Sequence, residues 1–177
     1  MGCQTCVVAC HENNLLPDDF FFNRVETEGK SKNEMYIPTL VNGVVKIKML
    51  PQQCNHCENP ACKNNCPFNA ISITSRGIVS IDREVCNSCG TCVTSCPYSN
   101  VMLDPKYNRA GKCTFCEQRI LNGAEPFCVV CCPAKARKVG NLSDPNSEVS
   151  RLIREKNGYV LKKEEGTEPK VYYVPGI

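Results

Sequence analysis

Sixteen cysteines stand in a chain of 177 residues, and fifteen of them fall into four groups with a related plan. The first is Cys3-x2-Cys6-x3-Cys10 and the second Cys54-x2-Cys57-x4-Cys62-x3-Cys66-Pro67. The third is Cys86-x2-Cys89-x2-Cys92-x3-Cys96-Pro97, and the fourth Cys113-x2-Cys116-x11-Cys128-x3-Cys132-Pro133. Thiolates are soft metal ligands, and spacing decides for which metal. Three cysteines at i, i+3 and i+6, as in the third group, let one loop wrap three corners of an iron-sulfur cubane. The fourth thiol, before proline, then points away and completes the other cluster of a pair. Proline at that point fixes φ and removes an N–H as the chain leaves the cluster. Tetrahedral zinc wants two C-x2-C pairs per site, whereas these groups are triplets with a distant fourth member. A disulfide scaffold belongs to a shorter secreted chain with a signal peptide, and a redox dithiol to one motif on a βαβ unit. The pattern predicts 4Fe-4S clusters on the fifteen grouped cysteines. Cys131 is supernumerary and reads as a small buried hydrophobe.

Composition agrees that cofactors stand in for part of the core. The hydrophobic fraction of 42% includes the cysteines themselves, there is no tryptophan, and only six Phe and six Tyr offer bulk. The formal charge is +3, from 21 basic and 18 acidic residues, with no basic run of five, which gives nucleic-acid binding little support. Four clusters of charge about −2 each would make the loaded protein acidic. No apolar run approaches the roughly 18 residues of a membrane span. Residues 1–10 are polar and cysteine-rich rather than a secretory h-region, and Cys6 stands where a myristoylation signal wants Ser or Thr. The chain is therefore read as having no transmembrane segment and no signal peptide of its own.

The elements that must position these thiols are short. The second and third groups repeat with an offset of 32 residues, from Cys54 to Cys86. Between them Ile71-Ser72-Ile73-Thr74 and Ile78-Val79-Ser80-Ile81 alternate around Ser75-Arg76-Gly77, a short hairpin between two cysteine loops and the plan of a two-cluster ferredoxin module. Residues 36–41 and 44–50 flank Asn42-Gly43, which predicts a second hairpin with a type I′ turn, either a packing flap or a partner-docking surface. Asp144 reads as the N-cap of a helix with Pro145 at its first position, Val149, Leu152 and Ile153 on its apolar face, and Gly158 ending it. From residue 159 onward the chain is extended, and Val171-Tyr172-Tyr173-Val174 suggests a tail pressed onto something. His56 and His11 read as hydrogen-bonding loop residues rather than ligands. The expected fold class is α+β, with two ferredoxin-like bis-cluster modules, short hairpins, a C-terminal helix and an extended tail. The expected divisions are 1–53, an N-terminal cysteine group and hairpin; 54–110, the central two-cluster module; 111–140, the fourth group pairing with residues 1–10; and 141–177, the helix and tail.

The four groups in order, Gln53-Cys54-Asn55-His56-Cys57, Lys112-Cys113-Thr114-Phe115-Cys116, residues 140–145 and residues 166–173 carry a resemblance over nearly the whole length. The chain resembles the four-cluster iron-sulfur subunits of the dimethyl sulfoxide reductase family of molybdopterin enzymes. The resemblance implies that the first group pairs with the fourth and the second with the third. One cluster would use Cys54, Cys57, Cys62 and Cys96, and its neighbour Cys86, Cys89, Cys92 and Cys66. A third would use Cys113, Cys116, Cys128 and Cys10, and the last Cys3, Cys6 and Cys132, one thiolate short. The family pattern has a further cysteine three residues before Cys3, so Met1 is expected to be an internal methionine.

The resemblance implies an electron-transfer subunit that carries a chain of four 4Fe-4S clusters between a molybdopterin-containing catalytic subunit and a quinone-linked membrane subunit or soluble carrier. A free-standing polyferredoxin serving several reductases is the alternative. A third reading makes the incompletely ligated cluster a Lewis-acid site with an open iron. No acid, base or nucleophile constellation stands outside the cysteine groups, so no turnover is expected from this chain alone. The resemblance further implies membrane association through partners, including a membrane anchor subunit, on the periplasmic side in preference to the cytoplasmic.

Overall fold

Cysteine loops and prolines interrupt the chain so often that few segments can run beyond two turns of helix or five residues of strand. The computed structural model describes residues 2–27, 39–46 and 49–175, and within them the chain is α+β. The helices are α1 (Thr5–Asn13), α2 (Ala61–Asn64), α3 (Thr91–Ser95), α4 (Glu117–Leu121), α5 (Phe127–Val130) and α6 (Glu148–Glu155). The strands are β1 (Asn23–Thr27), β2 (Thr39–Val41), β3 (Val44–Lys46), β4 (Met49–Gln53), β5 (Ile71–Ile73), β6 (Val79–Ile81), β7 (Met102–Asp104) and β8 (Arg109–Gly111). They pair only two by two, β1 with β4 and the rest as hairpins, all antiparallel.

Turn chemistry explains the hairpins. In β5–β6 the Gly77 N–H donates to the Thr74 carbonyl at 2.9 Å, and Gly77 takes a φ of 75° that glycine adopts without strain. In β2–β3 both Asn42 (φ 51°) and Gly43 (φ 75°) are left-handed, as a type I′ turn requires. Residues 36–38 and 47–48 of that expected hairpin lie outside the described residues. Leu40, Val44 and Val45 are 74%, 57% and 61% exposed, so the described part is not a flap packed on the core. In β7–β8 the Asp104 carboxylate accepts from the N–H groups of Lys106 and Tyr107, at 2.9 and 3.2 Å, and so builds its own turn.

Residues 44–50, which the pattern reads as one strand, are divided. Val44–Lys46 stays in the hairpin, whereas Met49–Gln53 pairs with β1 from Asn23↔Gln53 to Thr27↔Met49. Pro51 sits inside β4 opposite Val25, and it is tolerated there because a two-stranded ladder leaves each strand a free side that needs no N–H. The helix start is corrected too. Ser147, not Asp144, caps α6, its hydroxyl accepting from the Ser150 N–H at 3.2 Å. The Asp144 carboxylate is engaged earlier, by the Asn146 N–H at 2.8 Å.

The main core gathers Ala70, Ile71, Val79, Val101 and Ala110 with Cys62, Cys86 and Cys92, so thiols are part of the packed interior. A smaller cluster joins Phe20 and Phe22, edge to face at 5.6 Å, to Cys10. Gly111 lets Phe20 in, since a Cβ there would stand 2.7 Å from its Cζ. A polar seam ties β1–β4 to the chain after the third cysteine group. Arg24 donates to the Tyr98 carbonyl at 2.9 Å, and the Asn100 amide donates to the Gln53 carbonyl at 2.6 Å.

The extended tail presses onto the chain itself rather than standing free for a partner. The N–H groups of Glu58 and Asn59 donate to the carbonyls of Glu168 and Thr167 at 2.9 and 3.1 Å, and that of Lys170 to Asn55 at 3.0 Å. Tyr173 bridges Tyr159 through two backbone bonds of 2.8 Å, and its hydroxyl reaches the Pro51 carbonyl at 2.8 Å. The tail thus clamps the loop that carries Cys54 and Cys57.

Candidate metal centres

Cys66, Cys86, Cys89 and Cys92 line one cavity, whose remaining wall includes Phe68, Ala70, Ile71, Ile81 and Ala110. Cys54, Cys57, Cys62 and Cys96 line a second, with Val79, Pro97, Tyr98 and Val101. The cause is the packing of α2 against α3. Each of these helices turns one thiol inward, Cys62 or Cys92, and each ends at a Cys-Pro whose thiol crosses to the other cavity. Cys66 therefore joins the third group and Cys96 the second. Among the described residues no three His, Cys, Asp or Glu close on a point as ligands of one ion do. The thiols instead stand around a shared, largely apolar space. Four soft donors around such a space suit a 4Fe-4S cubane, which takes one thiolate per iron and whose potential depends on burial.

The first and fourth groups meet through α1, which packs on α5. Cys6 and Cys10 are buried on α1. The thiols acting most strongly on Cys10 are those of Cys128 and Cys116, and Cys113 lies between the charges of Cys54 and Cys10. Cys131 has Cys6 and Cys132 as its neighbouring thiols and is partly exposed, a correction to its reading as a buried hydrophobe. Cys3 is exposed, its sulfur accepting from the Thr5 hydroxyl at 3.4 Å.

In the fourth group backbone N–H groups reach the sulfurs, Phe115 donating to Cys113 and Ala136 to Cys132, both at 3.3 Å. The cysteine loops carry left-handed residues, among them His56 (φ 44°), Ser88 (66°), Phe115 (59°) and Cys116 (49°). Inward N–H groups of this kind make an anion-binding concavity. Burial works against the thiolates themselves. It pushes the Cys10 thiol up to about 12, Cys57 to about 11 and Cys62 to about 12, and raises Cys54 and Cys113 as well. At the exposed Cys3 and Cys89, hydroxyl bonds from Thr5 and Thr91 hold the thiol below its ordinary value. Buried thiolates here need cationic partners, which iron supplies.

Several polar residues around the sulfurs carry no signal in the cysteine spacing. Thr167, from the tail, bonds the Tyr98 hydroxyl at 2.6 Å and shares the cavity wall with Cys57. Arg137 donates to the Gln53 side chain at 2.9 Å, and its charge acts on Cys10 and Cys128. His56 accepts the Val79 N–H on Nδ1 at 3.1 Å, and burial holds the ring neutral, so its proton sits on Nε2. A protonated Nε2 cannot ligate metal. That atom is buried without a hydrogen-bond partner among the described residues. His11 meets the Pro17 carbonyl through Nε2 at 3.1 Å. Among the described residues no helix is long and apolar enough to cross a membrane.

Comparison with known proteins agrees with this chemistry. Residues 45–142 match the family model described as a 4Fe-4S dicluster domain. The chain is 35% identical to the B component of the polysulfide reductase of Wolinella succinogenes over 176 residues, 99% of this chain and 88% of that one. It is 39% identical to the B component of the tetrathionate reductase of Archaeoglobus fulgidus over 173 residues, 98% of this chain and 76% of the relative. A Halobacterium salinarum protein named as the iron-sulfur B component of a dimethyl sulfoxide reductase is 36% identical over 197 residues, covering 99% and 75%.

Proposed function

Because the protein belongs to the family of 4Fe-4S iron-sulfur subunits of dimethyl sulfoxide reductase-type molybdopterin oxidoreductases, we propose that it conducts electrons between a molybdopterin-containing catalytic subunit and a quinone-linked membrane subunit or soluble carrier. The 4Fe-4S clusters it binds each take up and release one electron with little rearrangement. The observation that carries the reading in detail is the exchange of fourth cysteines between the two cavities. It supports one ligand set of Cys54, Cys57, Cys62 and Cys96, and another of Cys66, Cys86, Cys89 and Cys92. The packing of α1 on α5 supports a third of Cys10, Cys113, Cys116 and Cys128, and a fourth of Cys3, Cys6 and Cys132. In this reading the subunit reaches the membrane through its partners, on the periplasmic side. The exposed Leu40, Val44 and Val45 of β2–β3 supply apolar surface of the kind partner contacts use.

Cys96→Ala tests the exchange. It is expected to abolish the electron paramagnetic resonance signal of the second-group cluster and leave that of the third group, while Cys66→Ala does the reverse. Loss of the cluster nearest in sequence to each mutated cysteine would overturn the ligand sets, and zinc in place of iron after anaerobic purification would overturn the cluster reading.

A further inference from the structure

Lys112 is one of the few charged side chains buried in this protein, with 4% of its surface exposed. Its ammonium donates to the carbonyls of Val79 and Cys113, the latter at 3.0 Å, and Val79 walls the cavity of Cys54, Cys57, Cys62 and Cys96. Among the described residues no carboxylate forms an ion pair with it. A buried ammonium without a counter-charge is costly to desolvate, and two carbonyl dipoles offset only part of that cost. The anionic groups within its reach are sulfurs. Through the Cys113 carbonyl it stands beside one proposed ligand set and through Val79 beside the cavity of another, and its charge acts on Cys54, Cys62 and Cys113.

The surroundings make this a seam between the two. Cys54 is itself the charge that acts most on Cys113. Across the same boundary the His56 ring, from the loop between Cys54 and Cys57, meets the Phe115 ring, from the loop between Cys113 and Cys116, edge to face at 5.3 Å. The cavity of Cys66, Cys86, Cys89 and Cys92 differs. The charges that act on Cys92 are the other three thiols of its own set, which all oppose a further negative charge.

We propose that Lys112 is a positioning residue for electron transfer, a fixed cation shared by the Cys54 and Cys113 clusters that sets the potentials on both sides of the crossing between the central and outer cysteine pairs. Reduction brings each of these clusters one electron from its neighbour in the chain. The ammonium, already desolvated and held by two carbonyls, stabilises the added negative charge without rearranging. Because one cation faces both sets, it raises both potentials together and so favours an added electron on either side of the seam.

The inference rests on the ligand sets proposed above. If those are wrong, the signal losses in Cys96→Ala and Cys66→Ala fall on other clusters. If only this inference is wrong, the signals assign as proposed and the potentials do not move. The experiment is a redox titration of the assembled subunit, followed by electron paramagnetic resonance, in Lys112→Met, Lys112→Gln and Lys112→Arg. In Met and Gln the midpoint potentials of the Cys54 and Cys113 clusters are expected to fall together while that of the Cys66/Cys86/Cys89/Cys92 cluster stays in place. Arg is expected to remain near the parent protein. Unmoved potentials, or an equal fall in all three clusters, would overturn the proposal. Should the neutral variants lose iron, loss confined to those two clusters with Arg fully loaded supports the need for the charge. Equal loss in Arg overturns it in favour of a packing role.

Discussion

The central and outer cysteine pairs are assembled by different means. The second and third groups lie in one stretch of chain, where α2 packs on α3 with the β5–β6 hairpin between to shape two four-cysteine cavities, one of which Thr167 of the tail also walls. The first and fourth groups come from distant parts of the chain and depend on α1 finding α5. Their thiols range from the deeply desolvated Cys10 and Cys113 to Cys3 at the surface, as the central ones do from Cys54 to Cys89. The contrast teaches that a local repeat encodes its own metal pockets, whereas the distant pair depends on long-range packing and on charges, such as that of Arg137, placed from outside the cysteine loops.

The sharpest test of central self-sufficiency is the tail. Removing residues 166–175 takes Thr167 from Tyr98 and from the cavity wall it shares with Cys57, and strips the N–H groups of Glu58 and Asn59 of their acceptors. We expect loss of the Cys54/Cys57/Cys62/Cys96 cluster, with iron falling by about a quarter. A fully loaded truncated protein would show the central region to be independent of it.

A second test uses acidity. Each thiol must release its proton to bind iron. A thiol raised to about 12, such as Cys10, is protonated at neutral pH, and each unit of pH eases its ionisation by about 1.4 kcal/mol. The lowered Cys89 needs less help. Reconstitution from iron and sulfide should therefore improve between about pH 7 and 9, more steeply for the Cys10 cluster than for the Cys89 cluster. Equal slopes in signal intensity against pH would erase the distinction. The smallest effect is expected at Cys131, the sixteenth cysteine. Cys131→Ala should leave the iron content unchanged, and lost iron would bring this partly exposed thiol into the first-group set beside Cys6 and Cys132.

What was legible in the sequence was local. The cysteine spacing reads directly as loop, short helix and Cys-Pro exit, and Asn42-Gly43 and Ser75-Arg76-Gly77 mark hairpins because left-handed turns need particular residues. The β1–β4 ladder was not legible, since its partners are distant in sequence and Pro51 argues against a strand until the strand proves to have a free side. The β7–β8 turn was hidden because Asp104 builds it with a side chain. At the last helix Asp144 and Ser147 are both cap residues by type, and only the hydrogen bonds show that Asp144 is spent on a turn. Lys112 and Thr167 lie within recognisable segments, yet their bonds to Val79 and Tyr98 depend on elements packed from elsewhere in the chain.

The contact between α1 and α5 also bears on how the protein is made. A chain leaving the ribosome presents residues 5–13 early and residues 127–130 late, so the helix synthesised first must wait longest for its partner. During that wait Cys6, Val7 and Cys10, buried in the finished protein, have nothing to bury them. The cysteines of the central pair are all out once Cys96 emerges, but the outer pair cannot seal until Cys132 has followed. Closing so long a loop is slow because its entropy is lost before the contact forms. A truncated or stalled chain therefore leaves this helix unseated and its thiols open to oxidation.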